Sequence, residues 1–159
     1  MELDKIDHII LEALLRDGRI AFSTIAKETN LTDVAIKKRF ESLKRRNIIS
    51  GITLDLNFKS LGYENPIYIQ IRSEISKNKD IIKKLKTLDF ILEVYHVLGD
   101  YNLFCKMIVP NLDAGEKAIN QLGLIDGIID LKTMVVLSEL KKSTTLPAKT
   151  LQNSLTGKT

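Results

Sequence analysis

Residues 31–51 read LTDVAIKKRFESLKRRNIISG, and the architecture of the N-terminal third turns on this stretch. Ile36, Phe40 and Leu43 recur at helical spacing and predict one buried stripe, leaving Val34, Lys37, Lys38, Glu41, Lys44 and Arg45 on the opposite face. Thr32 is the predicted N-cap, and Asp33 suits the positive end of the helix dipole. Asn47 closes the helix as its C′ residue, and Ile48 and Ile49 dock the exit. The 159-residue chain carries 24 basic and 20 acidic residues, a formal charge of +4. Residues 33–46 alone hold six basic and two acidic residues, so 18 of each lie elsewhere and cancel. The net charge therefore sits on one helix, where two carboxylates cannot pair six cations into a solvated salt-bridge face.

Upstream, LDKIDHIILEALLR (3–16) places Leu3, Ile6, Ile10 and Leu14 on one face of a predicted helix that ends at Asp17-Gly18. FSTIAKET (22–29) follows as a short helix with Ile25 and Ala26 inward, and Asn30 tolerates the left-handed backbone of a tight turn. Three short helices with such a turn before a basic third one predict a helix-turn-helix. The first turn of that third helix would lie in the major groove, which makes Thr32, Val34, Lys37 and Lys38 candidate base-edge contacts. Arg39, Lys44 and Arg45 fall nearer the phosphates. Arg39 has a second reading, a brace to an acidic residue of the first helix, and Arg46 reads as solvated. Ser23 and Thr24 open the preceding helix, where hydroxyls and backbone N–H groups either hold a phosphate or serve as ordinary caps.

Beyond residue 50 the grammar changes. Residues 51–56 alternate and read as a short strand, and 57–65 as a linker. IYIQIRSEI (67–75) predicts a strand with Ile67, Ile69, Ile71 and Ile75 on one face. A helix capped by Asn78 runs over 80–88, with strands at 91–97 and 103–109 around the turn Gly99-Asp100-Tyr101-Asn102. Asp113 and Glu116 form a capping box for a helix to Leu122, and 128–138 is a last strand. This β-α-β, turn, β-α-β order predicts an α+β chain whose C-terminal half is a ferredoxin-like sheet with both helices on one face. Apolar residues of the last strand would then leave an exposed patch that favours self-association. The expected boundaries are 1–50 for the helix-turn-helix, 51–65 for strand and linker, 66–142 for the βαββαβ unit and 143–159 for a polar tail, with 144–147 able to pair along a neighbour's edge.

Whole classes drop out. One cysteine, Cys105, and two histidines make neither an internal disulfide nor a metal-ligand set, so no metal or cofactor is expected. Cys105 reads as a small buried hydrophobe, His96 as a strand residue and His8 as a surface residue of the first helix or one facing a partner subunit. No apolar run approaches the ~18 residues of a membrane span. The opening MELDKID is charged from its second residue, unlike a signal peptide, so a cytoplasmic location is expected.

Four segments together resemble the Lrp/AsnC, or feast/famine, transcriptional regulators: LDKIDHIILEALLRDGRI (3–20), LTDVAIKKRFESLKRRNIISG (31–51), VYHVLGDYNLFCKMIV (94–109) and IDLKTMVVLSELKKSTTLP (129–147). The resemblance is colinear over residues 2–147. It implies a winged-type helix-turn-helix joined by a β linker to a βαββαβ, RAM/ACT-like sensing domain. It also implies a homodimer through the sensing sheets, assembling further to an octamer, that binds double-stranded DNA and senses an amino acid. By the same resemblance the effector falls on Leu98, Gly99, Asp100, Tyr101, Asn102 and Leu103, with Thr133 nearby. The chemistry agrees: Asp100 and the Asn102 side chain suit an ammonium group, while N–H groups around Gly99 and the Thr133 hydroxyl suit a carboxylate. A plain hairpin turn would carry the same Gly99-Asp100 pair.

Three positions depart from the family pattern. The turn usually reads Gly-x-Tyr/Phe-Asp, and Asn102 here removes a carboxylate, which puts the usual ligand preference in question. Ala21 and Asn30 stand where a capping hydroxyl and a turn glycine are common. Two other functions remain open at this stage. One is an enzyme resembling the sirohaem decarboxylases, for which only His96 and Arg72 are available in the second half. The other is a ligand-independent architectural DNA binder.

Overall fold

A computed structural model describes residues 3–64 and 66–143, so the expectation for residues 144–147 lies outside the described residues. The chain forms two compact units: one runs to Asp55 and takes in Lys142 and Ser143, the other spans Leu56–Lys141.

The first unit contains α1 (Lys5–Arg16), α2 (Phe22–Thr29) and α3 (Asp33–Arg45). Ile10, Ala13, Ile25, Ala26, Ile36 and Leu43 close its core, with the Phe22 and Phe40 rings 5.2 Å apart at the rim. Asn30 sits at φ 54° and Asn47 at φ 56°, so both helix exits use the left-handed conformation that asparagine tolerates. The Thr32 hydroxyl accepts from the Ala35 N–H at 3.2 Å, which fixes the start of α3. Gly18 lies against the Ile52 side chain, where a Cβ would come within 2.9 Å of its methyl.

Two expectations fail in this unit. Residues 51–56 form no strand, and among the described residues none lies beside them to take their backbone hydrogen bonds; Ile52, Leu54 and Leu56 are 55%, 82% and 48% exposed. Among the described residues of the unit there is therefore no β-wing. His8 is buried rather than on the surface, its Nδ1 lying 3.0 Å from the Asp4 carbonyl oxygen.

The second unit contains β1 (Ile67–Ser73), α4 (Asn78–Leu85), β2 (Ile91–His96), β3 (Leu103–Met107), α5 (Leu112–Gly123) and β4 (Ile128–Val135). The sheet order is β2-β3-β1-β4 with every neighbouring pair antiparallel, the arrangement a split βαβ repeat requires. Ile67, Ile69, Ile71, Leu103, Cys105 and Met107 pack against Ile81 and Leu85 of α4 and Ala118 and Leu122 of α5, so both helices cover one face. Gly115 permits the approach of α5, since a Cβ there would lie 3.2 Å from the Ile67 side chain.

At three places the structure departs from the local sequence signal. The first strand ends at Ser73, and Ile75 enters a 3-10 turn at 84% exposure instead of joining the core face. Asn78 lies inside α4, its side chain turned into the protein rather than capping the helix. Asn111, not Asp113, caps α5 by accepting from the Ala114 N–H at 2.9 Å, because its extended backbone (φ −160°) is the one an N-cap needs. On the uncovered sheet face the apolar patch comes from aromatics of the inner strands more than from β4. Tyr68 and Phe104 stack at 5.5 Å, Tyr95 joins them, and Met134 lies beside Tyr68 among Gln70, Lys106 and Lys132.

Candidate DNA-contact helix and effector turn

The α3 cations divide into two sets. Arg39 Nη1 donates to Asp4 at 2.6 Å and to Asp7 at 2.9 Å, and Arg46 Nη1 meets the other Asp7 oxygen at 3.3 Å. Arg46 is thus a partner of a buried carboxylate, contrary to the solvated reading, and Arg39 takes its bracing role. Burial pushes the Asp4 carboxyl up, but the Asp7 backbone N–H and the Arg39 guanidinium outweigh it and hold the group below its usual range. Arg39 is raised in return, chiefly by its hydrogen bond to Asp4. Neither Asp4 nor Asp7 was singled out from the sequence, although an Asp pair three apart on α1 was the available signal.

The remaining set faces solvent. Thr32, Lys37, Lys38, Lys44 and Arg45 are exposed and Val34 is 63% exposed. Lys44 Nζ lies 5.7 Å from the centroid of the Phe40 ring. Ser23 and Thr24 are exposed in the first turn of α2, whose N-cap Ala21 supplies no side-chain acceptor.

The turn between β2 and β3 presents a different arrangement. Leu98, Gly99 and Asp100 are fully on the surface, with Gly99 at φ 140°. The Tyr101 hydroxyl donates to Asp130 and thereby holds that carboxyl below its usual range, while Lys132 Nζ lies 4.4 Å over the Tyr101 ring. Asn102 turns inward: its Oδ1 accepts from the Ser73 N–H and the Ser73 hydroxyl, both at 3.0 Å. Its Nδ2 donates to the Ser73 carbonyl and to Asn78 Oδ1, both at 3.3 Å. Asn102 is therefore not free to accept from an ammonium group. Leu103 is wholly buried in the core. Thr133 pairs with Ile69 while Leu103 pairs with Ile71, which puts β1 between Thr133 and the turn, about 10 Å across the sheet. One chain does not bring Thr133 to Asp100.

Cys105 is buried in the core, which pushes its thiol up to about 11 and leaves it inert as a nucleophile. His96 and Arg72 stand on β2 and β1 with β3 between them. Among the described residues no helix is long and apolar enough to cross a membrane.

Residues 3–44 match the AsnC-type helix-turn-helix domain, and residues 67–146 match the Lrp/AsnC ligand binding domain. The HTH-type transcriptional regulator FL11 of Pyrococcus furiosus is 33% identical over 147 residues, covering 92% of this chain and 97% of that protein. The solved structure of Escherichia coli AsnC superposes with a TM-score of 0.85 at 32% identity, over 92% of this chain and all of the other. A feast or famine regulatory protein from Mycobacterium tuberculosis, solved with L-methionine, shares the fold at TM-score 0.82 and 21% identity, over 91% of this chain and 98% of its own. With helix-turn-helix, four-stranded sensing sheet and these relatives in agreement, the chain belongs to the Lrp/AsnC family of transcriptional regulators.

Proposed function

We propose that the chain binds double-stranded DNA through the outer face of α3, as a symmetric pair, and that a free amino acid modulates it at the β2–β3 turn. The separation of the α3 cations carries this reading. Asp4 and Asp7 hold Arg39 and Arg46, and Lys37, Lys38, Lys44 and Arg45 remain on the surface beside the capped first turn. That is the layout a groove-lying helix needs: a rigid mount behind and mobile cations in front. Ser23 and Thr24 sit where a phosphate could be received, whereas Arg39 leaves the set of candidate contacts.

Pairing falls to the uncovered sheet face, where Tyr68, Phe104, Tyr95 and Met134 offer apolar area that water does not favour. Further assembly to an octamer extends the same logic. In the effector turn, Asp100 is the remaining acceptor for an ammonium group, and the N–H groups about Gly99 face a carboxylate. Thr133 enters only if a second copy supplies it.

Two measurements test the reading. Lys37→Ala/Lys38→Ala should weaken operator binding at least about tenfold in fluorescence anisotropy while sedimentation stays that of the parent; unchanged affinity overturns the DNA face. In thermal-shift titrations across the amino acids, at least one should raise Tm in the parent and not in Asp100→Asn. A flat response throughout leaves the ligand-independent architectural function instead.

A further inference from the structure

The far end of the sensing sheet holds a cavity that the DNA face and the effector turn do not use. Its volume is about 660 Å³, within the ~300–1,000 Å³ of small-molecule sites. It opens where β2 begins and β3 ends, beside Phe90 and Pro110, whereas the Gly99 turn joins the opposite ends of these strands. The length of β3, about 17 Å, separates the two.

One wall is helical. Ala114, Lys117, Ala118 and Gln121 lie on a single stripe of α5, two small side chains as floor and two polar ones beside them. The other wall is the segment that leads out of the first unit. Residues 58–63 close on themselves through Tyr63 N–H to the Phe58 carbonyl at 3.0 Å, and Gly62 turns at φ 83°. The Phe58 and Tyr63 rings meet edge to face at 6.4 Å, and the Glu64 N–H anchors the loop to the Val109 carbonyl at 3.0 Å. The loop thus presents aromatic and aliphatic surface to the cavity from a formed turn. Leu61 is 58% exposed and Tyr63 40% exposed, apolar area with no cover among the described residues.

The charges complete the case. Lys117 and Gln121 make no ion pair or side-chain hydrogen bond among the described residues, and neither does Asp89 across the opening. An ammonium and an amide donor one helical turn apart, over an aromatic-walled apolar floor, match a carboxylate carried on a bulky apolar body.

We propose that this cavity is a second small-molecule site, taking a carboxylate borne on an aromatic or similarly bulky apolar body, with Lys117 and Gln121 on the carboxylate and Phe58, Tyr63 and Phe90 around the body. The loop 58–63 is then a wall of the site, so occupancy fixes the segment leading to the DNA-binding unit. This inference stands apart from the effector turn and survives its failure.

The test uses the full chain labelled with ¹³C at alanine methyls and titrated with 3-phenylpropanoate. Saturable displacement of the Ala114 and Ala118 resonances is expected, weakened about tenfold in Lys117→Ala and unchanged in Lys83→Ala on α4. Equal displacement by 3-phenylpropan-1-ol overturns the proposal, because the cleft would then be merely greasy. Undiminished binding in Lys117→Ala, or displacement centred on the Gly99 turn, overturns it as well. L-Phenylalanine distinguishes the sources: binding as tight as the parent acid assigns Asp89 to an amino-acid ammonium, and weaker binding assigns the site to acids lacking one.

Discussion

The Asn102 amide oxygen accepts from the Ser73 N–H and shares the single Ser73 hydroxyl proton with the nearer Asn78 Oδ1, and its NH₂ group reaches Ser73 and Asn78, so this one side chain ties the start of β3 to the end of β1 and the start of α4. A carboxylate there would have no proton to give the Ser73 carbonyl. Asn102→Asp should therefore lower stability by about 1–3 kcal/mol in urea denaturation, a loss that an Asn78 flip can only partly recover. Asn102 thus sits among partners that suit an amide, an arrangement that no spacing rule reveals because Ser73 is 29 residues away. Asp4 makes a second prediction. Its carboxyl is lower in the folded chain than its ordinary value, so its contribution is present above the unfolded pKa near 3.8 and is lost as pH falls through the native value. In acid titrations below about pH 4, Asp4→Asn should flatten this part of the stability loss. The sequence did show that Arg39 had two uses, yet deciding between them required the distance to α1.

At the scale of elements, α2 starts without a side-chain cap because Ala21 has no acceptor, whereas Asp4, Thr32 and Asn111 cap α1, α3 and α5. Ala21→Ser should raise stability by about 1 kcal/mol, read as an increase in Tm of several degrees by calorimetry. All three helices of the first unit were legible from apolar spacing, since Ile10, Ile25, Ile36 and Leu43 are the residues that do become its core. The strands were legible wherever alternation met a partner, as Ile67, Ile69 and Ile71 do with β3 and β4. Residues 51–56 alternate equally well and form no strand among the described residues, since alternation reports a face to bury and not the neighbour that buries it. The misplaced caps at Asn78 and Asp113 have a similar cause: several Asx residues lie near each helix start, and backbone angle chooses among them.

For the whole molecule, the +4 of the chain is not the charge presented to DNA. Two of the six α3-region cations are held by α1, which leaves Lys37, Lys38, Lys44 and Arg45 as the outward set. A dimer offering both sets to phosphates should bind with a log–log salt slope of about −7, shallower by about 3–4 in Lys37→Ala/Lys38→Ala. A parent slope near zero in anisotropy titrations across salt would contradict the assignment of these lysines. The order of strands carries a last consequence, one of timing. β1 is central, flanked by β3 and β4, so the first strand made waits for the last, and Ile67 finds Val135 only when nearly the whole chain exists. The contacts of α1, α2 and α3 close over far shorter stretches of sequence. Local contacts form quickly and distant strand pairings slowly. On the ribosome the basic helix is thus mounted while the sheet is still open, so the nascent chain carries its cationic face before its second unit has closed.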